Sequence, residues 1–140
     1  MSFTIKSTPE TAEFWEGAEQ SKLTIQRCTD CSAHYFPPAP ICPKCSSRSV
    51  AWVEPSGRAT LYSYTIANTP WPYWPTGDKA MSVALVELEE GVRLISTIVG
   101  CEQTPTELEI DMPLQATWTR CGDKGPNLLC FKKADQGSAT

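Results

Sequence analysis

From residue 58 onward, apolar and polar residues alternate in short runs. Over 58–67 the chain reads Arg-Ala-Thr-Leu-Tyr-Ser-Tyr-Thr-Ile-Ala, with Ala59, Leu61, Ser63, Thr65 and Ala67 on one side and Tyr62, Tyr64 and Ile66 on the other. A period of two predicts a strand. Residues 81–88 predict a second strand and 92–99 a third, paired with the second because Glu89-Glu90-Gly91 has the length and chemistry of a hairpin turn. The alternation breaks over 104–111. There Thr104-Pro105-Thr106-Glu107 predicts a capped turn or a single helical turn that carries Leu108 and Ile110 to the core. Residues 114–120 and 127–132 supply two more strands, joined across 122–126. Five strands with a short connector between the third and fourth match the count and spacing of an OB-fold barrel. A different small β-barrel or a sandwich is the alternative on pattern alone.

The first part of the chain follows other rules. Thr8 is placed to cap a helix, with Pro9 at its first position and Glu10 and Glu13 at the positive end of its dipole. Phe14, Trp15 and Ala18 share one side, and the helix should end before residue 22. So short a helix is marginal alone, so Phe14 and Trp15 must dock, either on this chain or on another protein. Short strands are expected at 23–27 and 50–53. The predicted organisation is a helical segment over 1–22, a ribbon over 23–54, a β-domain over 55–134 and a polar tail over 135–140.

Between the two short strands lie Cys28-Thr-Asp-Cys31 and Cys42-Pro-Lys-Cys45. Each Cys-x-x-Cys brings two thiolates onto one tight turn, and two such turns supply the four soft ligands that tetrahedral zinc prefers. The insert between them is too short and proline-rich to fold unaided, and metal binding offsets the entropy of ordering it. Four thiolates close the coordination shell, which predicts a structural Zn²⁺ held by Cys28, Cys31, Cys42 and Cys45. Iron in a rubredoxin-like site is the minority option, and paired disulfides are the alternative to a metal. Seven cysteines is an odd number, and Met-Ser-Phe-Thr-Ile-Lys carries no apolar signal core. Both features predict a reducing, cytoplasmic location.

Composition narrows the function. The net charge is −4 and the pI about 5.0, which argues against a general nucleic-acid surface. No apolar run approaches the ~20 residues of a membrane-spanning helix. Catalytic machinery is sparse, and no catalytic residue is assigned. His34, the single histidine, lies in the proline-rich insert and reads as a solvated loop residue. Cys101, Cys121 and Cys130 read as small buried hydrophobes. The segment 68–79 carries Trp71, Tyr73 and Trp74 spaced by prolines. Stiff aromatics lose little entropy on binding, so they suit an interface or ligand site, with capping of the barrel as the alternative.

In their order, Glu13-Phe14-Trp15-Glu16, the run 23–31, Phe36-Pro37-Pro38, Ile41-Cys42-Pro43-Lys44-Cys45, the run 56–65, the run 83–88 and Val99-Gly100-Cys101 resemble the zinc-ribbon/OB-fold family associated with acyl-CoA, the domain-of-unknown-function thirty-five family. The resemblance runs from about residue 13 to 133; Asp111 stands where that family often has glycine. It implies a rubredoxin-like zinc ribbon followed by an OB-fold barrel. It also implies a non-catalytic subunit bound in a hetero-oligomer to a thiolase-like or hydratase-like enzyme, where it helps form the acyl-CoA channel. A CoA thioester needs cations for its phosphates and an aromatic or apolar face for its adenine. Arg58, Lys79, Arg93 and Arg120 are the candidate cations, with Trp71 and Trp74 as faces and Phe14, Trp15 and Tyr73 as further partner contacts. Arg27, Lys44 and Arg48 would offset the charge of a zinc–tetrathiolate centre. The competing readings are a stand-alone CoA or acyl-CoA binder and a single-strand nucleic-acid-binding OB protein.

Overall fold

Two antiparallel sheets and one short helix organise residues 4–68 and 80–134, the residues described by the structure, a computed structural model. Helix α1 spans Ala12–Glu19. Strands β1 (Ile25–Cys28), β2 (His34–Tyr35) and β3 (Val50–Val53) form the small sheet, in the order β2-β1-β3. Strands β4 (Arg58–Ala67), β5 (Met81–Leu88), β6 (Arg93–Ser96), β7 (Pro113–Arg120) and β8 (Asn127–Lys133) form the large one, in the order β6-β5-β4-β7-β8.

The large sheet curls until its ends meet. Ile98 bridges Phe131 in parallel, Val99 N–H donates to the Phe131 carbonyl at 2.8 Å, and Phe131 N–H donates to the Thr97 carbonyl at 2.9 Å. Its third and fifth strands therefore close an OB-fold barrel, the fold the strand count predicted. Leu61, Val86, Leu94, Ile98, Leu108, Leu114 and Phe131 fill it. Phe14 from the helix and Leu23 and Ile25 from the ribbon's base belong to the same cluster. Helix and ribbon are thus rooted in the barrel core.

Local chemistry moved several sequence expectations. Thr8 caps a turn: Thr11 N–H donates to its carbonyl at 3.0 Å, and Thr8 N–H donates to Thr11 Oγ1 at 2.9 Å. The helix therefore begins at Ala12, and Pro9 and Glu10 lie outside it. The first ribbon strand is shifted from 23–27 to Ile25–Cys28 by the register of β1 against β3. His34 lies in strand β2 opposite Arg27 and is half-buried, because β1 recruits it as a pairing partner. The third barrel strand stops at Ser96, after which 97–99 turn to β8.

Strand β4 is bulged: Leu61 faces Val86 and Ser63 faces Leu85, leaving Tyr62 as the extra residue. A bulge shifts the alternation by one. Ala59 and Leu61 point inward before it, whereas Tyr64 and Ile66 pack on the core after it. Tyr62 is left exposed beneath the Arg93 guanidinium, 3.9 Å from its ring centre.

The 104–111 connector is a capped turn, with Thr104 Oγ1 accepting from Glu107 N–H at 3.3 Å and Leu108 buried. Ile110 is 54% exposed instead of in the core, because the chain reverses over 109–112 and leaves it at the tip. Asp111 has φ +68° there and donates its N–H to the Leu61 carbonyl at 2.7 Å. That left-handed conformation explains a glycine preference, and a short Asp side chain tolerates it. Gly57 is constrained in both ways: its φ is +83°, and a Cβ would lie 2.7 Å from Gln115 Nε2.

Asn127 holds the helix to the barrel. Its buried Nδ2 donates to the Ala18 carbonyl at 2.8 Å and to Ser21 Oγ at 3.0 Å, satisfying groups at the helix C-terminus. Replacing Asn127 by Ala is expected to cost about 1–3 kcal/mol in urea unfolding. A midpoint that stays in place would show that the docking of α1 does not depend on this hydrogen-bonded anchor.

Candidate metal centre and binding surfaces

The two cysteine turns repeat one geometry. Cys28 N–H donates to the Ala33 carbonyl at 2.9 Å and Cys42 N–H to the Ser47 carbonyl at 2.8 Å. Ser32 N–H returns to the Cys28 carbonyl and Ser46 N–H to the Cys42 carbonyl, each at 2.9 Å. Ser32 and Ser46 both adopt positive φ, +65° and +63°. Cross-links fix one turn against the other: Thr29 N–H and Oγ1 both donate to the Ser49 carbonyl, at 2.8 and 2.9 Å, and Ser47 Oγ donates to Asp30. The proline-rich insert is pinned at Ala39, whose N–H donates to buried Gln26 Oε1 at 2.7 Å and whose carbonyl accepts from Tyr35 Oη at 2.9 Å.

These contacts bring the Sγ atoms of Cys28, Cys31, Cys42 and Cys45 within 4.8 Å of one another. Cys28 and Cys45 are 3.5 Å apart and Cys31 and Cys42 3.7 Å. A tetrahedron with metal–sulfur bonds of about 2.3 Å has edges near 3.8 Å, so the cluster matches tetrahedral Zn²⁺. Disulfide bonding does not: these separations are far beyond the about 2.05 Å of a sulfur–sulfur bond, and all four cysteines are free.

The electrostatics agree. The backbone N–H of Cys31 pulls Cys28 down to about 6 against the opposing effect of burial. Burial pushes Cys42 up, but the backbone N–H groups of Cys45 and Lys44 outweigh it, and the thiol is lowered. The Ser47 N–H draws Cys45 down, yet Cys45 shares its proton with Cys28, and the crowded sulfurs and burial carry it up to about 12. A bound cation would displace the proton that the crowded sulfurs share and hold the four ligands together. Arg27 leans over the first turn, with Nη2 donating to Ser32 Oγ at 3.0 Å.

The other three cysteines have a different character. Burial raises the thiols of Cys101, Cys121 and Cys130, the opposite of an activated nucleophile.

The remaining candidates are dispersed. Arg58 pairs with Glu89 at 2.8 Å, and Arg93 pairs with Glu87 at 2.7 Å while stacking on Tyr62. Ser56 and Arg58 together hold the Glu89 carboxyl below its usual range. Arg120 sits beside the helix, donating to Glu19 at 3.1 Å and to the Gly125 carbonyl at 2.8 Å. Phe14 is buried against Phe36, ring centres 5.4 Å apart, whereas Trp15 is half-buried and lines a surface cavity with Arg120. Trp71, Tyr73, Trp74 and Lys79 lie outside the described residues. Gln26, Tyr35 and Asn127 also shape the ribbon and the helix docking, and nothing local in the sequence marks them, because their hydrogen-bond partners lie elsewhere in the chain.

Comparison with known proteins adds to this geometry. Residues 15–51 match the model described as ChsH2, rubredoxin-like zinc ribbon domain, and residues 52–119 the one described as ChsH2, C-terminal OB-fold domain. The chain is 43% identical over 75% of its length to a probable enoyl-CoA hydratase alpha subunit of Thermomonospora curvata, of which it spans 32%. It is 32% identical to a DUF35 domain-containing scaffold protein of Methanothermobacter thermautotrophicus, covering 83% of this chain and 86% of that one. Among solved structures, a chain of the Ltp2-ChsH2(DUF35) aldolase matches with a TM-score of 0.77 and 35% identity, covering 92% of this chain and 98% of that one.

Proposed function

Because the chain belongs to the DUF35/ChsH2 family of zinc-ribbon and OB-fold proteins, we propose that it is a non-catalytic scaffold subunit of a thiolase-superfamily, acyl-CoA-processing enzyme, of the aldolase type. One observation carries the reading: nearly the full length of a chain in the Ltp2-ChsH2(DUF35) aldolase has its counterpart here, at 35% identity. The scaffold protein of Methanothermobacter thermautotrophicus, matched over most of its length, supports the scaffold role. The chain spans only about a third of the hydratase alpha subunits it matches, so a hydratase activity is not carried over with them.

The division of labour follows from the chemistry of the residues. Cys28, Cys31, Cys42 and Cys45 would hold Zn²⁺ with four thiolates, a set that leaves no position for substrate and would brace the ribbon. The thiols of Cys101, Cys121 and Cys130 stay protonated at neutral pH, because burial disfavours their charged form. Bond-making and bond-breaking then belong to the partner, and this subunit stabilises it and shapes one wall of the acyl-CoA channel. Reconstitution tests this: the chain and a thiolase-like, Ltp2-type aldolase from the same organism should elute as one hetero-oligomer. Separate elution at micromolar concentrations would reject the scaffold role.

A further inference from the structure

Among the described residues, three of the four exposed large hydrophobic side chains, Tyr62, Val83 and Ile95, share one outward face of the barrel. The alternation that sends Ala84, Val86 and Leu94 to the core turns Val83, Leu85 and Ile95 to the other side of β5 and β6. Leu85 lies directly across from Ile95, and Val83 is the next outward residue along β5. At the far end of the row stands Tyr62, turned out by the bulge and lying beneath Arg93. We propose that this apolar face of β5 and β6 is the surface on which the chain grips an uncharged, apolar patch of its partner enzyme. The inference rests on the scaffold reading and adds to it the surface used.

Three features carry it. The first is position. Strands β4, β5 and β6 are the first three of the barrel, and the face of the second and third is the one OB folds commonly use for binding. The second is chemistry. A face that binds a polyanion needs unpaired cations, whereas the charges bordering this one, Arg93 and Glu87, are paired with each other at 2.7 Å. Ile95 is 73% exposed, so covering it removes apolar surface from water. Val83 and Ile95 are β-branched and lose little freedom when covered. Tyr62, stacked under Arg93, supplies the residue types that dominate binding at interfaces. The third is extent. Four such side chains present apolar surface on the order of 300 Å², the size of patch that is often functional on a monomer. A stable pair of copies needs about 800 Å² from each. The face is too small to hold a second copy of this chain by itself, and it suits a larger partner that also touches surfaces beyond it.

The test uses the full, zinc-loaded chain and a thiolase-like, Ltp2-type aldolase from the same organism, with association followed by analytical ultracentrifugation. Ile95→Lys puts a charge at the centre of the patch and should weaken association at least about tenfold. Ile95→Thr, which keeps the β-branch a strand favours, should weaken it about threefold to tenfold. Both should melt close to the parent chain, because the position is exposed. Ile110→Lys is the control: Ile110 is also apolar and exposed, but its connector bonds to β4 beside β7, and association should stay unchanged. Failure of the parent chain to associate would reject the scaffold reading and this surface with it. Parent association with Ile95→Lys undiminished, or with Ile110→Lys weakened as much, would reject the surface alone. Dimers of the chain by itself that Ile95→Lys abolishes would give the face to a second copy, and binding of oligo-dT that the same variant abolishes would give it to nucleic acid. Either result overturns the proposal.

Discussion

Cys28→Ser is expected to reduce bound zinc from one ion per chain to a trace and to disorganise the outer half of the ribbon, while leaving most of the barrel's β signal intact. The size of the effect follows from what holds that half together. Cys28, Tyr35 and Cys42 form a small buried cluster of their own, with only Ala39 and Val50 packed against it. So little apolar surface cannot order a proline-rich insert, whereas structural zinc binding contributes on the order of 10–16 kcal/mol in isolated finger peptides. The damage should stop at the base of β1, because Leu23 and Ile25 belong to the barrel's core. Metal analysis with amide hydrogen exchange checks both halves of this expectation. Exchange should become fast over 28–47 and stay slow in β4, β5, β7 and β8.

Phe131→Ala should have the second-largest effect, about 3–5 kcal/mol in equilibrium unfolding. Phe131 is among the largest fully buried side chains, and it lies where the sheet closes on itself. Its backbone exchanges hydrogen bonds with Thr97 and Val99, while its ring fills the middle of the barrel. Truncation therefore opens a cavity at the seam joining the first and last parts of the sheet. Against a total stability of typically 5–15 kcal/mol, such a loss leaves a marginal protein. The measurement is chemical denaturation followed by circular dichroism, and a change below about 1 kcal/mol would mean that the seam closes around the gap.

What could be read directly from the residues was whatever has a short-range physical signature. Two Cys-x-x-Cys turns state their chemistry through spacing, and β5, with its turn at Glu89-Glu90-Gly91, states its register through alternation. The features that escaped depend on partners far along the chain. Two residues, His34 and Tyr35, have no period of their own and become a strand only because β1 offers its edge. The bulge at Tyr62 reverses which side of β4 faces inward, so alternation read from 58 onward gives the wrong face for Tyr64 and Ile66. Ile110 is apolar in a run that delivers Leu108 to the core, but the left-handed Asp111 turns it outward. At the candidate binding surface, Trp15 and Arg120 were each legible as chemistry-bearing residues. Their meeting was not, because it is the Asn127 anchor that docks α1 against the β7–β8 turn.

The central claim is that this zinc-braced barrel supports chemistry performed by another protein. Its most direct test is acyl-CoA turnover measured for the zinc-loaded chain alone, for a thiolase-like aldolase alone and for the two combined. The account predicts no turnover above background from the chain alone, and turnover by the reconstituted complex that is lost when the aldolase's own catalytic residue is replaced. Turnover by the purified chain, free of any companion, would contradict it.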